Sequence, residues 1–343
     1  TNIGKQKKGK SNSKTSDFKG GEVMEYRKLG KSDVMVSPIV MGCWSVGGDY
    51  FGSVEDENSI RCIQTYLEHG VNTFDTAEIY GNGRAEKVLG EALKGTDRES
   101  VVIISKVWPA HYGGKNMEEA CDESLKRLGM DYLDVYFLHY PPTDGISMEE
   151  AMENMNRLKE KGKIRSIGVS NFTQEMLEEA GRYGTVDVIQ PCYNLLWRYI
   201  DKDILPYCRK EEIGVIPYST LAQGLLTGKF TKDTEITGGR TKAALFQPGV
   251  YEKCLEVTDV LVEIGSKYDR TAAQICINWL VNRPDLTAPI VGGADAAHAL
   301  QNLKALDFTM DAADHQRIDE VSRKFCSEMP EYQLFFDTKI KGE

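Results

Sequence analysis

The stretch "GVNTFDTAEIYGNGRAEKVLG", residues 70–90, holds a strand pattern, a loop and the start of a helix, in that order. The apolar run through Val71 and Phe74 ends in an acid, Asp75, and a tyrosine follows at Tyr80. Gly81 and Gly83 then lead into a helical pattern over 85–93. A carboxylate and a phenol where a strand gives way to a loop call for a reason, and equivalent places in the chain supply one.

The same order recurs along the chain. Short apolar runs at 39–44, 71–76, 101–107, 132–139, 164–171, 186–191, 213–219 and 286–293 predict eight strands. Helical patterns at 57–68, 85–93, 117–128, 148–161, 174–183, 204–212 and 296–306 follow seven of them. After the seventh strand come a long Gly- and Thr-rich segment, 221–250, and then further helices. β-Branched runs buried on both faces fit a parallel sheet, and eight β-then-α units close into a (β/α)₈ barrel. An open doubly wound sheet is the rival, but no GxGxxG follows the first strand; "GGDYFG" does not match it. Before the first unit, "MEYRKLG" and "DVMVSP" predict a hairpin turning at Gly30 that plugs the barrel bottom. A loop as long as 221–250 is uncommon unless functional. A last amphipathic helix begins after Asp311, which would cap it.

Composition narrows the class. The 343 residues carry a net charge of −10, which disfavours a nucleic-acid partner. No run approaches the ~18–20 apolar residues of a membrane helix. Residues 1–23 hold six lysines against Asp17 and Glu22 and few large apolar side chains. They read as a flexible leader or a cloning remnant, with the natural start near Met24; a native basic arm is the other reading. Residues 24–343 then form one domain. The eight cysteines show no CxxC or zinc-finger spacing, which points to reduced thiols, a cytoplasmic location and no metal.

Barrel chemistry sits at the C-terminal ends of the strands. The second strand ends at Asp75, the third at Lys106 and the fourth at His139. Each has a bland reading alone: a cap, a rim charge, a core histidine. Together, with Tyr80, they suit protonation of a carbonyl oxygen. A free tyrosine is a poor acid, with a pKa of ~10. The ammonium of Lys106 would lower it, Asp75 would keep that ammonium charged, and His139 would orient the carbonyl. The set lacks an electron donor, so a hydride cofactor is required.

The motifs "GVNTFDTAEIYGNGRAEKVLGEAL", "LDVYFLHYPP", "GKIRSIGVSNF", "IQPCYNLL" and "IPYSTLAQGLLTGK" make residues 24–325 resemble the aldo-keto reductases. The resemblance implies that Asp75, Tyr80, Lys106 and His139 form a catalytic tetrad with Tyr80 as general acid/base. It implies NADP(H) or NAD(H) as cofactor. Ser170, Asn171 and Gln190 match the residues that bind the nicotinamide carboxamide, and Tyr218 the aromatic on which the ring stacks. Ser219, Leu221, Gln223, Gly224 and Lys229 match the stretch over the pyrophosphate, and Arg240 could fold over it. Beyond the eighth strand, Gly292 and Gly293 fit the pattern. Ala294 stands where a basic residue would grip the 2′-phosphate of NADP, Asp295 adds a negative charge, and His298 replaces a glutamine. Gln301 and Asn302 remain candidate adenine contacts. An acid near the ribose favours hydroxyls over phosphate, so NAD gains weight.

Trp44, Tyr50, Trp108, Tyr140, Trp197 and Arg198 lie just beyond strand ends and are candidate walls for an aldehyde, cyclic ketone or sugar-like carbonyl. Two other functions compete. The β subunits of voltage-gated potassium channels resemble this family and bind the cofactor as regulators. A Schiff-base lyase would use Lys106 as a nucleophile on the same barrel.

Overall fold

The structure is a computed structural model that describes residues 16–17, 23–48, 54–143 and 145–329. Most of the expected leader, the wall residue Tyr50 and the chain from 330 onward lie outside the described residues. Within the leader, Ser16–Asp17 pairs antiparallel with Val23–Met24.

Eight parallel strands follow in chain order: β1 (Val40–Gly42), β2 (Thr73–Asp75), β3 (Val102–Val107), β4 (Leu133–Leu138), β5 (Ile164–Ser170), β6 (Val188–Gln190), β7 (Gly214–Val215) and β8 (Ile290–Gly292). Each pairs with its predecessor from β2 to β7, and β8 pairs with β1. Two backbone bonds carry the ladder from β7 to β8: Thr287 N–H donates to Val215 O at 2.8 Å and Ile290 N–H to Pro217 O at 2.9 Å. The sheet therefore closes on itself.

Side chains alternate across each strand. Val40, Val102, Ile104, Val135, Phe137, Val188, Ile216, Ala288 and Ile290 belong to one apolar cluster, the barrel interior. Their neighbours Met41, Ile103, Tyr136, Leu138, Ile167, Val169, Ile189 and Val291 belong to a second cluster, shared with the helices. The helices α1 (Asp56–Glu68), α2 (Arg84–Ala92), α3 (Asn116–Leu128), α4 (Met148–Glu160), α5 (Gln174–Tyr183) and α6 (Ile204–Lys210) follow the first six strands. Ser147 and Thr173 cap α4 and α5 by accepting from the third residue onward.

The N-terminal hairpin pairs Arg27–Lys28 with Met35–Val36. Its Leu29, Val34 and Val36 complete the interior cluster from below. At the turn, Gly30 has φ 56°, and a Cβ there would lie 2.1 Å from Asp187 O. Only glycine lets the turn seat against the barrel bottom.

The segment 221–250 is less irregular than its composition suggests. Three 3₁₀ stretches, Ala222–Thr227, Gly238–Lys242 and Ala244–Phe246, run through it. Buried Leu225, Leu226 and Leu245 explain this, because they pin the segment to the core. Then come α7 (Val250–Tyr268), α8 (Ala272–Val281), α9 (Ala296–Leu303) and α10 (Ala312–Glu328). Asp311 occupies the N-cap position of α10 but makes no side-chain cap bond. Its carboxylate instead accepts from Lys267 Nζ at 2.7 Å, tying α10 to α7.

Candidate active site

Moving two residues up each strand from the apolar interior layer gives the next inward layer. Val40 leads to Gly42, Thr73 to Asp75, Ile104 to Lys106, Phe137 to His139, Gly168 to Ser170, Val188 to Gln190, Ile216 to Tyr218 and Ile290 to Gly292. At this level apolar filling gives way to polar groups around a cleft of about 710 Å³. Gly168 makes room for the layer below, since a Cβ there would come within 2.6 Å of the Phe137 ring.

Lys106 is fully buried and donates from Nζ to Asp75 Oδ1 and to Thr76 O, both at 2.7 Å. Gln190 Nε2 donates to the other carboxylate oxygen at 2.8 Å. Burial pushes the Asp75 carboxyl up and the Lys106 ammonium down. Their mutual bond opposes both shifts, and the Gln190 and Thr76 contacts satisfy what remains. Lys106 Nζ lies 4.9 Å from the centre of the Tyr80 ring. That proximity does not decide the phenol pKa. Burial first, then the charge of Asp75, raises it well above 10. The reason is that Asp75 offsets the ammonium while the protein removes water. Tyr80 is therefore a protonated phenol in the cleft.

His139 caps the group. Its ring meets Tyr80 edge-on at 5.8 Å, meets Trp108 edge-on at 5.5 Å and stacks on Tyr140 at 5.5 Å. Burial, reinforced by Lys106, pushes its pKa well below 6.5, so the imidazole is neutral at neutral pH. Trp44 approaches Tyr80 from the other side at 6.4 Å. Glu78 gives no signal in the sequence. Its carboxylate accepts from the Trp108 backbone N–H at 2.6 Å and contacts His111 Nδ1 at 3.0 Å.

Beside these residues lies a polar face. Ser170 Oγ donates to Gln190 O at 2.7 Å, Asn171 Nδ2 donates to Ser170 Oγ at 3.1 Å, and Tyr218 Oη donates to Asn171 Oδ1 at 2.7 Å. Beyond Tyr218 the cleft is lined by Ser219, Leu221, Gln223, Gly224, Lys229 and Arg240. Ser219, Ala222 and Gln223 are non-glycine residues with φ between 49° and 55°. Three left-handed residues so close together mark a backbone held in a costly shape at the cleft wall. Arg240 Nε donates to Gln223 O at 3.1 Å, tying the long segment back to that turn.

The far end is lined by Gly292, Gly293, Ala294 and His298. Asp295 is not aimed at the cleft as a free charge. It caps α9, accepting from His298 N–H at 2.8 Å and contacting His298 Nδ1 at 2.9 Å. Gln301 and Asn302 do not reach the cleft. Asn302 is buried and donates to Tyr66 Oη and Gly292 O. Gln301 lines a separate groove of about 860 Å³ with Met24, Arg27 and Phe308.

Two expected walls are also elsewhere. Trp197 is buried, bridged to Asn194, with its ring on Tyr199 at 4.8 Å. Arg198 is buried under α10, bonded to Asp201 at 2.8 Å and Asp319 at 2.7 Å. The loop turns these side chains inward because the guanidinium is neutralised there. Ser45, Ile79, Thr220, Thr227, Phe230 and Ile290 also line the cleft, beyond the residues expected from the sequence. Several are sequence neighbours of expected ones: Ser45 follows Trp44, Ile79 precedes Tyr80 and Phe230 follows Lys229.

The sequence model of the Aldo/keto reductase family matches residues 38–323. The chain is 32% identical to an NADH-specific methylglyoxal reductase of Escherichia coli over 87% of its own length and 98% of that protein's. It is 32% identical to a probable voltage-gated potassium channel β subunit of Arabidopsis thaliana, over 83% of this chain and 92% of that protein. A crystal structure of an aldo/keto reductase from Klebsiella pneumoniae with NADP and acetate superposes with a TM-score of 0.72, at 29% identity, covering 91% of this chain and 99% of that one. Barrel, cleft and sequence agree: the chain belongs to the aldo/keto reductase family.

Proposed function

We propose that the protein reduces aldehydes or ketones to alcohols, or the reverse, with NADPH or NADH. The observation that carries this is the single inward layer holding Asp75, Lys106 and His139, with Tyr80 in the same cleft beside the Ser170–Asn171–Tyr218 face. That face, an aromatic ring next to amide and hydroxyl groups, fits a nicotinamide and its carboxamide, and Gln190 adjoins it. Ser219, Leu221, Gln223 and Gly224, with Lys229 and Arg240 as cations, fit the pyrophosphate; turns with left-handed residues form anion-binding concavities. Gly292, Gly293, Ala294 and His298 are left for the adenosine end. When bound, the cofactor supplies a hydride.

The chain's own groups handle the proton. Tyr80, held neutral by burial, is in the state needed to give a proton to the oxygen as it gains charge. The phenolate left behind is stabilised by the nearby Lys106 ammonium, which Asp75 and Gln190 hold in place. Neutral His139 has one N–H to donate to the carbonyl oxygen, fixing its orientation without competing as an acid. Trp44, Trp108 and Tyr140 form the aromatic wall around the carbonyl. A cytoplasmic location fits the eight free thiols, seven of them buried.

Tyr80→Phe is the deciding experiment. It should cut kcat roughly a hundredfold to ten-thousandfold while cofactor binding, read by nicotinamide fluorescence, stays unchanged. Full turnover in that variant removes Tyr80 as the acid. The likeness to a potassium channel β subunit supports a second reading, a cofactor-binding regulator. Tight cofactor binding by the unaltered protein with no turnover of any carbonyl would favour it. Borohydride trapping of a carbonyl on Lys106 would instead favour the lyase.

A further inference from the structure

Trp108 reaches the cleft from the loop after β3, where its carbonyl accepts from His111 N–H at 2.9 Å and so opens the turn that follows. Its ring touches both His139 and Tyr140, at 5.5 and 5.3 Å between centres. Its backbone N–H is held from outside the loop. Glu78 sits two residues before Tyr80, on the loop after β2, and only 8% of its side chain is exposed. One oxygen accepts the Trp108 N–H at 2.6 Å. His111, at the end of the 3₁₀ turn Pro109–His111, places Nδ1 3.0 and 3.2 Å from the two oxygens. The Glu78 N–H donates to Lys106 O at 3.3 Å, anchoring the carboxylate's own backbone to the end of β3. A nearly buried carboxylate thus spends its hydrogen-bonding capacity on both ends of one short wall segment.

We propose that Glu78 is a positioning residue for the substrate pocket, holding the Trp108 wall at a fixed distance from the Tyr80 loop. This rests on the carbonyl-reductase reading above. Glu78 touches neither Tyr80 nor Lys106 through its side chain, so it acts through Trp108. The wall matters most to a substrate wide enough to press on the indole and least to one that does not reach it. A charge-assisted hydrogen bond is among the stronger ones, worth about 1.5–3 kcal/mol, so loosening the wall can cost a substrate that rests on it at most about tenfold to a hundredfold.

The test uses steady-state kinetics with two probes, 2-naphthaldehyde and propanal, under saturating reduced cofactor. In Glu78→Ala, KM for 2-naphthaldehyde should rise about tenfold, with kcat and the propanal KM within about twofold. Glu78→Gln retains an oxygen that can accept from the Trp108 N–H and should recover most of the naphthaldehyde KM. Trp108→Ala should raise the naphthaldehyde KM at least as far as Glu78→Ala does, and Glu78→Ala combined with Trp108→Ala should be no worse than Trp108→Ala alone, because two residues acting through one contact do not add. Additive losses, or equal losses for both aldehydes in a variant of unchanged melting temperature, overturn the proposal. An unaltered protein that turns over neither aldehyde overturns the reductase reading and the clamp with it. An active unaltered protein with additive variants overturns the clamp alone.

Discussion

The two ends of the cleft are built on different principles. At the reaction end, Asp75, Lys106, Ser170 and Gln190 are on strands, buried, and locked by bonds between strands. At the far end, Lys229, Arg240 and Ala294 are carried on loops and short turns and His298 on the first turn of α9, and none is buried. A strand-borne group cannot shift without moving the sheet. A loop-borne group can change partner or be replaced at little cost to the fold. On the proposed assignment, the difference separates the chemistry, which tolerates little change, from the choice of cofactor, which tolerates much.

The sharpest way to break this contrast is Lys106→Met. Removing one partner of a buried ion pair strands the other charge, which costs about 3–5 kcal/mol. The variant should lose nearly all turnover and also melt markedly earlier by calorimetry. Loss of turnover with an unchanged melting temperature would mean that the reaction end is no better locked than the loops.

His139 gives the next largest effect, this time in pH. Burial holds its pKa well below 6.5, so below pH ~6.5 the unfolded chain takes up a proton that the folded chain refuses. Stability must then fall as pH falls below that value, by up to about 1.4 kcal/mol per pH unit for this one group. His139→Asn removes the titration. Urea midpoints at pH 7, 6 and 5 should fall less steeply in the variant than in the unaltered protein. Parallel slopes would show that the imidazole is not buried in neutral form.

The smallest effect belongs to the far end. With Ala294 in the cleft and Asp295 occupied in capping α9, there is neither a strong grip on a 2′-phosphate nor a free carboxylate to repel it. Lys229 and Arg240 remain nearby. The unaltered protein should therefore prefer NADPH over NADH by less than tenfold, and Ala294→Arg should move the ratio toward NADPH by about tenfold. Titration of both reduced cofactors by nicotinamide fluorescence measures this. A hundredfold NADPH preference before any substitution would show that the far end discriminates as strictly as the near end.

The same contrast explains what the sequence discloses. Strand runs alternate with period two, so knowing that Phe137 faces inward places His139, and knowing Ile104 places Lys106. The reaction end is legible for that reason. Loop residues follow no such period. Trp197 looks like a wall because it is aromatic and just past β6, yet a bridge to Asn194 turns it into the scaffold. Asn302 fits a family pattern, but its helix aims it at Tyr66 and Gly292. Glu78 is invisible in the sequence because its partner, Trp108, lies 30 positions away and only the folded barrel joins them. The raised phenol pKa escapes the sequence too, because a neighbouring charge can be read there and the depth of burial cannot.

The placement of Arg198 bears on how such an enzyme can diversify. Its guanidinium, between Asp201 and Asp319 and over the Trp279 ring, ties the loop after β6 to α10. On the proposed reading, drift at Trp44, Trp108 or Tyr140 would explore new substrates, since these side chains line the cleft and Arg198 does not. Drift at Trp197 or Arg198, only a few residues beyond a strand end, would be purged for lost stability before any new specificity could be selected.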